Sequence, residues 1–358
     1  MINVTQTFLP PLDEYTEYLH RIWASKWLTN RGELLQELEV KLCAYLGVEN
    51  LLAVSNGTIA LQIAIKALGL KGEIITTPLS YVATVSSIVW ENCEPVFVDI
   101  DKDYLTIDET KIEAAITDKT SGILATHVYG NPCNVEVIRA IAEKHNLKVI
   151  YDAAHCFGVT YNDQSIFNYG DVSTCSFHAT KLFHTGEGGA IFCNDSDLFD
   201  KLFYSHNFGH KSESEFFGLG INAKISELQA AMGLAVFPYV NTIISSRKKI
   251  VDIYDAALLD EQVKTLKIRS NTGWNYSYYP IIFPTETDLT KTEKALNKQN
   301  IFPRRYFYPS LNKLPYVRYM EMPIAEEISK KILCLPLFTD LAPEDTNRIL
   351  EIIKSGVV

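Results

Sequence analysis

Residues 148–155 read Lys-Val-Ile-Tyr-Asp-Ala-Ala-His, a short apolar run that ends on a carboxylate and is followed by two small residues. A run of this length and character predicts a buried strand over 148–152, with Asp152 at its carboxyl end, facing a crevice instead of water. As a structural residue Asp152 would cap the next segment, whereas the Ala153-Ala154 pair admits the close approach of a planar ring. Working outward, apolar runs at 51–54, 73–77, 95–100 and 122–127 alternate with helical patterns at 58–68, 81–91 and 135–145. This alternation predicts an α/β fold with a mostly parallel sheet covered by helices on both faces. Ligands of such sheets gather beyond the carboxyl ends of the strands. Three polar segments fall there: Ser55-Asn56-Gly57-Thr58, residues 152–155 and the segment around Lys181.

That last segment, residues 176–191, reads Ser-Phe-His-Ala-Thr-Lys-Leu-Phe-His-Thr-Gly-Glu-Gly-Gly-Ala-Ile. A lysine becomes chemically useful when it forms an imine with an aldehyde cofactor, and an aspartate when it keeps a pyridine nitrogen protonated. Lys181 and Asp152 together therefore point to pyridoxal 5′-phosphate. The alternative for Lys181 alone is a solvated surface ammonium, but Gly186, Gly188 and Gly189 beside it let backbone approach a ligand closely. Gly57 and Thr58 open a helix whose amides and positive end suit a phosphate, although Ser-Asn-Gly-Thr is equally a good capping sequence. His155 reads either as a donor to a phenolic oxygen or as a satisfied core histidine. The histidines at 127, 155, 178, 184, 206 and 210 lack metal spacing, so no metal is expected.

Composition narrows the class. The chain has 358 residues, long for one hydrophobic core, with 21% charged residues, 47% hydrophobic residues and a formal net charge of -10. These values fit a folded enzyme and disfavour nucleic acid or an acidic membrane as a partner. Seven scattered cysteines without a Cys-x-x-Cys pair suggest buried reduced thiols, and with no leader-like amino terminus the expected location is the cytoplasm. No segment reads as long and apolar enough to span a bilayer. A helix over 225–235, a break at Phe237-Pro238 and a connecting helix over 241–259 divide the chain into a large unit, 1–240, and a smaller α+β unit, 241–358. The latter carries a strand-like run at 276–283 and helices at 288–299 and 343–354.

With these motifs in order, the chain resembles over nearly its whole length the nucleotide-sugar aminotransferases of the DegT type, which have the fold type I architecture of pyridoxal-phosphate enzymes. The resemblance implies that Lys181 forms the imine and moves the substrate proton, that Asp152 is the pyridinium partner, and that His155 lies near the phenolic oxygen. It also implies a phosphate cradle of Gly57, Thr58 and Ser176, and a ring of Tyr81 stacked on the cofactor, where the plain alternative is a core tyrosine. Asn222 matches a residue that reaches the partner subunit's phosphate, implying a homodimer with the active site at the interface; by itself Asn222 reads as a helix cap. Relatives often carry a His-Tyr pair where this chain has Phe-Pro-Arg-Arg-Tyr-Phe-Tyr-Pro, residues 302–309. Arg304, Arg305, Tyr306 and Tyr308 are thus candidate acceptor contacts, the arginines as forks for a diphosphate. This string and His-Ala-Thr-Lys-Leu-Phe-His-Thr are most similar to the branch forming dTDP-4-amino-4,6-dideoxy-D-glucose from L-glutamate and a nucleotide-linked 4-keto-6-deoxy sugar. A 3-keto acceptor and a non-catalytic, cofactor-binding regulator remain as alternatives.

Overall fold

The computed structural model describes residues 1–259 and 262–356. Its centre is a seven-stranded sheet formed by β1 (Leu51–Val54), β2 (Glu73–Thr76), β3 (Glu94–Phe97), β4 (Thr120–Thr126), β5 (Lys148–Asp152), β6 (Val172–Ser176) and β7 (Gly189–Phe192). The spatial order is β1-β7-β6-β5-β4-β2-β3, and every pairing is parallel except the two that β7 makes with β1 and β6. The expected mostly parallel α/β sheet is therefore present, with β5 ending on Asp152 as read from its apolar run.

Side chains alternate across this sheet. Leu51, Ala53, Ile75, Ile123, Val149, Tyr151 and Phe192 enter one core, while Leu52, Val54, Ile74, Leu124, Ile150 and Ile191 enter another on the opposite face. A sheet whose faces are both buried favours runs that are apolar on both faces, although β6, Val-Ser-Thr-Cys-Ser, departs from this with buried Ser173 and Thr174. Helices α1 (Leu12–Ser25) and α2 (Glu33–Leu46) pack into the first core; α3 (Gly57–Ala67) packs into the second. Helices α4 (Val82–Trp90), α5 (Val135–His145), α6 (Ser196–Ser205) and α7 (Glu227–Val236) complete the layers.

After a short turn at Phe237–Tyr239, helix α8 (Val240–Leu258) begins in the first core with Val240 and Ile243 and ends in a third with Ile250, Val251, Tyr254 and Leu258. That third core belongs to a small antiparallel sheet of β8 (Lys264–Thr265), β9 (Tyr279–Ile282) and β10 (Ile332–Leu335), covered by α9 (Glu286–Lys298) and α11 (Pro343–Gly356) and joined to α10 (Pro323–Lys331). The chain's first residues also lie here, since Ile2 and Asn3 pair in parallel with Ile301 and Phe302. Residues 357 and 358, assigned to the small unit from sequence, lie outside the described residues.

One expectation needs correction. The helical run Glu227–Leu258 is long and apolar enough, by length and composition, to cross a membrane, its most apolar 18-residue stretch having a mean hydropathy of 1.3. Sequence reading divided it at Pro238 and so missed its continuity. Its apolar positions are explained by protein: Ala230, Ala231, Leu234, Val236, Val240 and Ile243 are buried in the first core, and Ile250, Val251, Tyr254 and Leu258 in the third.

Two polar side chains seat the small unit against the sheet. Asn275 Nδ2 donates to the carbonyls of His155 (2.8 Å) and Phe157 (2.9 Å), and Ser277 Oγ donates to the His155 carbonyl as well, while buried Arg247 of α8 steadies the same stretch from within the small unit by donating to the Ser277 carbonyl at 3.0 Å. Farther out, Asp99 accepts from the Ile324 amide (3.0 Å) and the Ala325 amide (2.9 Å), capping α10 from the large unit. A carboxylate at a helix start satisfies orphan N–H groups and the positive end of the helix dipole. Asp99→Ala should therefore lower the unfolding free energy by about 2 kcal/mol, the cost of leaving one buried and one part-buried amide without a charged acceptor, as read from the urea midpoint. A change below about 0.5 kcal/mol would mean that this cap contributes little.

Candidate active site

The carboxyl ends of β1, β4, β5 and β6 open onto a cavity of about 280 Å³. Its lining includes Gly57, Thr58, Tyr81, Asp152, His155, Ser176 and Lys181, and from the small unit Tyr278, Arg304, Tyr306 and Phe307. Segments separated by more than a hundred residues thus converge as the sheet topology requires.

At one wall, Asn56 caps α3 by accepting the Ile59 amide at 2.9 Å. The capping task falls to Asn56, and the amides of Gly57 and Thr58 have no protein acceptor among the described residues. A Cβ at Gly57 would stand 3.1 Å from Ser176 Cβ, and one at Gly189 would stand 2.7 Å from the Asn56 carbonyl carbon. Both glycines let the helix start sit directly beside Ser176, leaving free amides and the hydroxyls of Thr58 and Ser176 around one mouth of the cavity.

Asp152 forms the floor. It is 5% exposed, its Oδ2 accepts from Thr84 Oγ1 at 2.6 Å, and its Oδ1 accepts from the Ala154 amide at 3.2 Å. Thr84 Oγ1 is 2.7 Å from Ser80 Oγ, which Thr126 Oγ1 meets at 3.1 Å, so a chain of hydroxyls supports the carboxylate from behind. Burial pushes the Asp152 carboxyl above its usual range, against the pull of the Thr84 and Ala154 hydrogen bonds and the Lys181 charge. Among the described residues Asp152 has no ion-pair partner within contact distance. A buried carboxylate in that state is costly unless a cation reaches it through the cavity.

His155 is buried beside it, and its Nδ1 accepts the Tyr129 amide at 3.0 Å. Burial, followed by the Lys181 charge, drives its pKa well below the ordinary value. The ring is neutral, and with Nδ1 accepting, its proton sits on Nε2, a donor. The side chain of half-buried Lys181 makes one hydrogen bond among the described residues, from Nζ to the Tyr278 hydroxyl at 3.3 Å.

The acceptor candidates separate. Arg304 is exposed and lines the cavity, with its guanidinium 5.4 Å from the Tyr306 ring. Arg305 instead donates to Glu286 (2.9 Å) and to the Lys330 carbonyl (2.8 Å) and lies 3.9 Å over the Tyr308 ring, in an adjoining groove. Tyr306 lines both spaces, and burial first pushes its hydroxyl up to about 12. Tyr81 is 58% exposed at the rim, its ring 6.3 Å from Phe307. Asn222 is exposed and does not line its own chain's cavity. Nor does it cap α7: Ser226 does so, in a capping box with Gln229.

Sequence reasoning missed the Ser80-Thr84-Thr126 hydroxyls, Tyr278 and Phe307. Ser80 and Thr84 carry a local signal, hydroxyls four residues apart flanking a helix start. Tyr278 carries none, lying 97 residues from Lys181 in the chain.

The donor set fits a phosphorylated pyridine aldehyde: free amides and hydroxyls for the phosphate, a lone buried carboxylate for a ring N–H, a neutral imidazole for an oxygen, and an amine for the aldehyde. The chain is 45% identical, over 99% of its length and 98% of the relative's, to a dTDP-4-amino-4,6-dideoxy-D-glucose transaminase from Shigella dysenteriae. It is 32% identical, over 94% of both chains, to a GDP-perosamine synthase from Escherichia coli O157:H7. In three dimensions it matches the crystal structure of DesI in the presence of its TDP-sugar product, with a TM-score of 0.94, 30% identity and coverage of 99% and 92% of the two chains. The model of the DegT/DnrJ/EryC1/StrS aminotransferase family matches residues 12–354. A match spanning both units and every wall of the cavity makes the chain a member of that family, a nucleotide-sugar aminotransferase with the fold type I architecture.

Proposed function

We propose that the chain uses pyridoxal 5′-phosphate to transfer the amino group of L-glutamate to dTDP-4-keto-6-deoxy-D-glucose, giving dTDP-4-amino-4,6-dideoxy-D-glucose. The observation that carries this reading is a buried carboxylate without a counter-ion, Asp152, sharing one cavity with the amine of Lys181. The names of relatives at 45% and 42% identity support the particular sugar. When bound, pyridoxal 5′-phosphate supplies an aldehyde that condenses with amines and a protonated ring that accepts the electron pair released at the amine-bearing carbon.

The protein's share is binding, orientation and proton handling. Asp152 keeps the ring nitrogen protonated, and the Ser80-Thr84 hydroxyls hold its carboxylate in place. His155 Nε2–H donates to the ring's phenolic oxygen. Gly57 and Thr58 amides, with the Thr58 and Ser176 hydroxyls, bind the phosphate, and Tyr81 covers a ring face. Lys181 removes the α-proton of glutamate and, in the second half-reaction, returns a proton to the nitrogen-bearing carbon of the sugar. Arg304 meets the sugar's diphosphate, while Arg305, Tyr306 and Tyr308 line the groove beyond.

We extend the proposal to the division at residues 240 and 241, to a homodimer in which Asn222 reaches the partner's phosphate, and to a cytoplasmic location. For the dimer, Asn222 stands among exposed Phe208, Phe216, Phe217 and Leu219; such apolar exposure fits an interface between subunits. For the location, the free cysteines fit a reducing compartment.

Purified enzyme given pyridoxal 5′-phosphate, L-glutamate and dTDP-4-keto-6-deoxy-D-glucose should form the 4-amino sugar and 2-oxoglutarate, identified by NMR. Amination of the 3-keto isomer in its place, or of neither, would overturn the acceptor assignment. Arg304→Ala should raise the KM for the keto sugar about tenfold, by loss of a charge-assisted contact, with little change in the glutamate half-reaction.

Asp152→Asn should divide stability from activity. Because the folded pKa of Asp152 lies above its unfolded value, ionising it in the cofactor-free protein destabilises the fold. The resulting deficit grows as pH rises from the ordinary carboxylate range, about pH 4, towards the folded value. Cofactor-free Asp152→Asn should therefore melt at or above the wild-type temperature at neutral pH, with the difference gone at about pH 4 and below. Its turnover with cofactor should fall by at least about a hundredfold. Near-normal turnover would sink the role given to Asp152.

A further inference from the structure

Lys181 has to do two things in the proposed reaction: form a covalent link, and later work as a free amine that moves a proton. Half-buried in the cavity, the free amine has no carboxylate within ion-pairing distance among the described residues, and its one hydrogen bond runs to the hydroxyl of Tyr278. The Tyr278 hydroxyl in turn has no other hydrogen bond among the described residues, and the Lys181 Nζ lies 5.5 Å from its ring centroid.

Tyr278 is held firmly. It is 5% exposed, and its ring stands edge-on to those of His155 (4.8 Å), Tyr306 (5.5 Å) and Tyr129 (6.4 Å). The backbone before it is fastened on both sides. Asn275 bonds the carbonyls of His155 and Phe157, the Ser277 amide donates to Asn275 Oδ1 at 3.2 Å, and Arg247 takes the carbonyl of Ser277. Residues 275–278 are therefore fastened to the loop that follows Asp152, and the hydroxyl is delivered to the lysine by rigid neighbours, the arrangement required of a group that orients a reacting atom.

We propose that Tyr278 is a positioning residue: its hydroxyl is the docking point of the Lys181 amine whenever that amine is not covalently engaged. The inference rests on the assignment of Lys181 above. As an ammonium, Lys181 donates a hydrogen bond to the phenol oxygen; as a neutral amine it accepts one from the phenol O–H. Tyr278 itself ends each cycle with the proton it began with. Its contribution is to keep Nζ aimed at the carbon whose proton is moved.

The test uses Tyr278→Phe, which keeps the ring and its contacts, with Lys181→Ala as control. In cofactor-free protein, acetylation of Lys181 by acetic anhydride, followed by mass spectrometry against exposed Lys102, should rise about tenfold in Tyr278→Phe, because a half-buried amine that loses its one side-chain hydrogen bond is no longer held in place and swings out to the reagent. In the loaded enzyme, exchange of the glutamate α-proton should slow by about tenfold or more, with a larger deuterium isotope effect and an unchanged KM for glutamate. Labelling within about twofold of wild type, or an unchanged isotope effect, overturns the proposal. A Lys181→Ala enzyme that still exchanges the α-proton overturns the lysine assignment itself; one that does not, beside a wild-type-like Tyr278→Phe, overturns only the role of Tyr278.

Discussion

Residues 152–157 are the place where the molecule is held together. On one side the backbone continues β5, so Asp152 is fixed by the pairing of β5 with β4 and β6. On the other, the carbonyls of His155 and Phe157 accept from Asn275, and the small unit cannot move without breaking bonds that are buried from water. Breaking such bonds leaves polar groups without partners, and this cost far exceeds what a surface contact contributes. Because Arg247 of α8 donates to the carbonyl of Ser277, two residues beyond Asn275, the long helix, the small sheet and the floor of the cavity share one framework. Every wall of the site is referred to it.

The electrostatics of the cavity follow from that framework. A buried carboxylate and a buried imidazole share one cavity with a half-buried amine. Burial shifts the first two in opposite directions, Asp152 upward and His155 downward, so both are pressed towards their neutral forms. A site in this condition stores an unfavourable charge arrangement that a cationic ring nitrogen relieves. The hydroxyl chain through Thr84 and Ser80 stabilises the ionised carboxylate enough to keep it available without supplying a counter-charge of its own.

The paired arginines show how tertiary context assigns different work to adjacent residues of one kind. Neighbours in extended backbone point in opposite directions. Arg304 turns to the cavity, and Arg305 turns to Glu286 and the carbonyl end of α10. With Tyr308 stacked beneath it, Arg305 shapes the groove, while Arg304 keeps an exposed charge at the rim.

Local chemistry sufficed for the strands and for the residues at their ends. Apolar runs of four to seven residues have few other structures open to them, and a polar residue that closes such a run must lie at the sheet's edge, so Asp152, Gly57, Ser176 and the Lys181 segment were legible directly. The break read at Phe237-Pro238 is in the structure a short 3-10 turn that keeps the backbone helical between α7 and α8, which the sequence did not disclose because a proline in the first turn of a helix gives up no hydrogen bond. What the sequence could not contain was the meeting of Tyr278 with Lys181, of Asn275 with the His155 carbonyl, or of Asp99 with α10. Each joins residues separated by 97 or more positions through one or two pairs of atoms, and no periodicity or motif encodes a pair that only the tertiary fold brings together. The strands and their helix cover follow from short-range hydrophobic pattern, whereas the order of the strands, with antiparallel β7 between β1 and β6, and the contacts that orient the reactive groups depend on the tertiary fold.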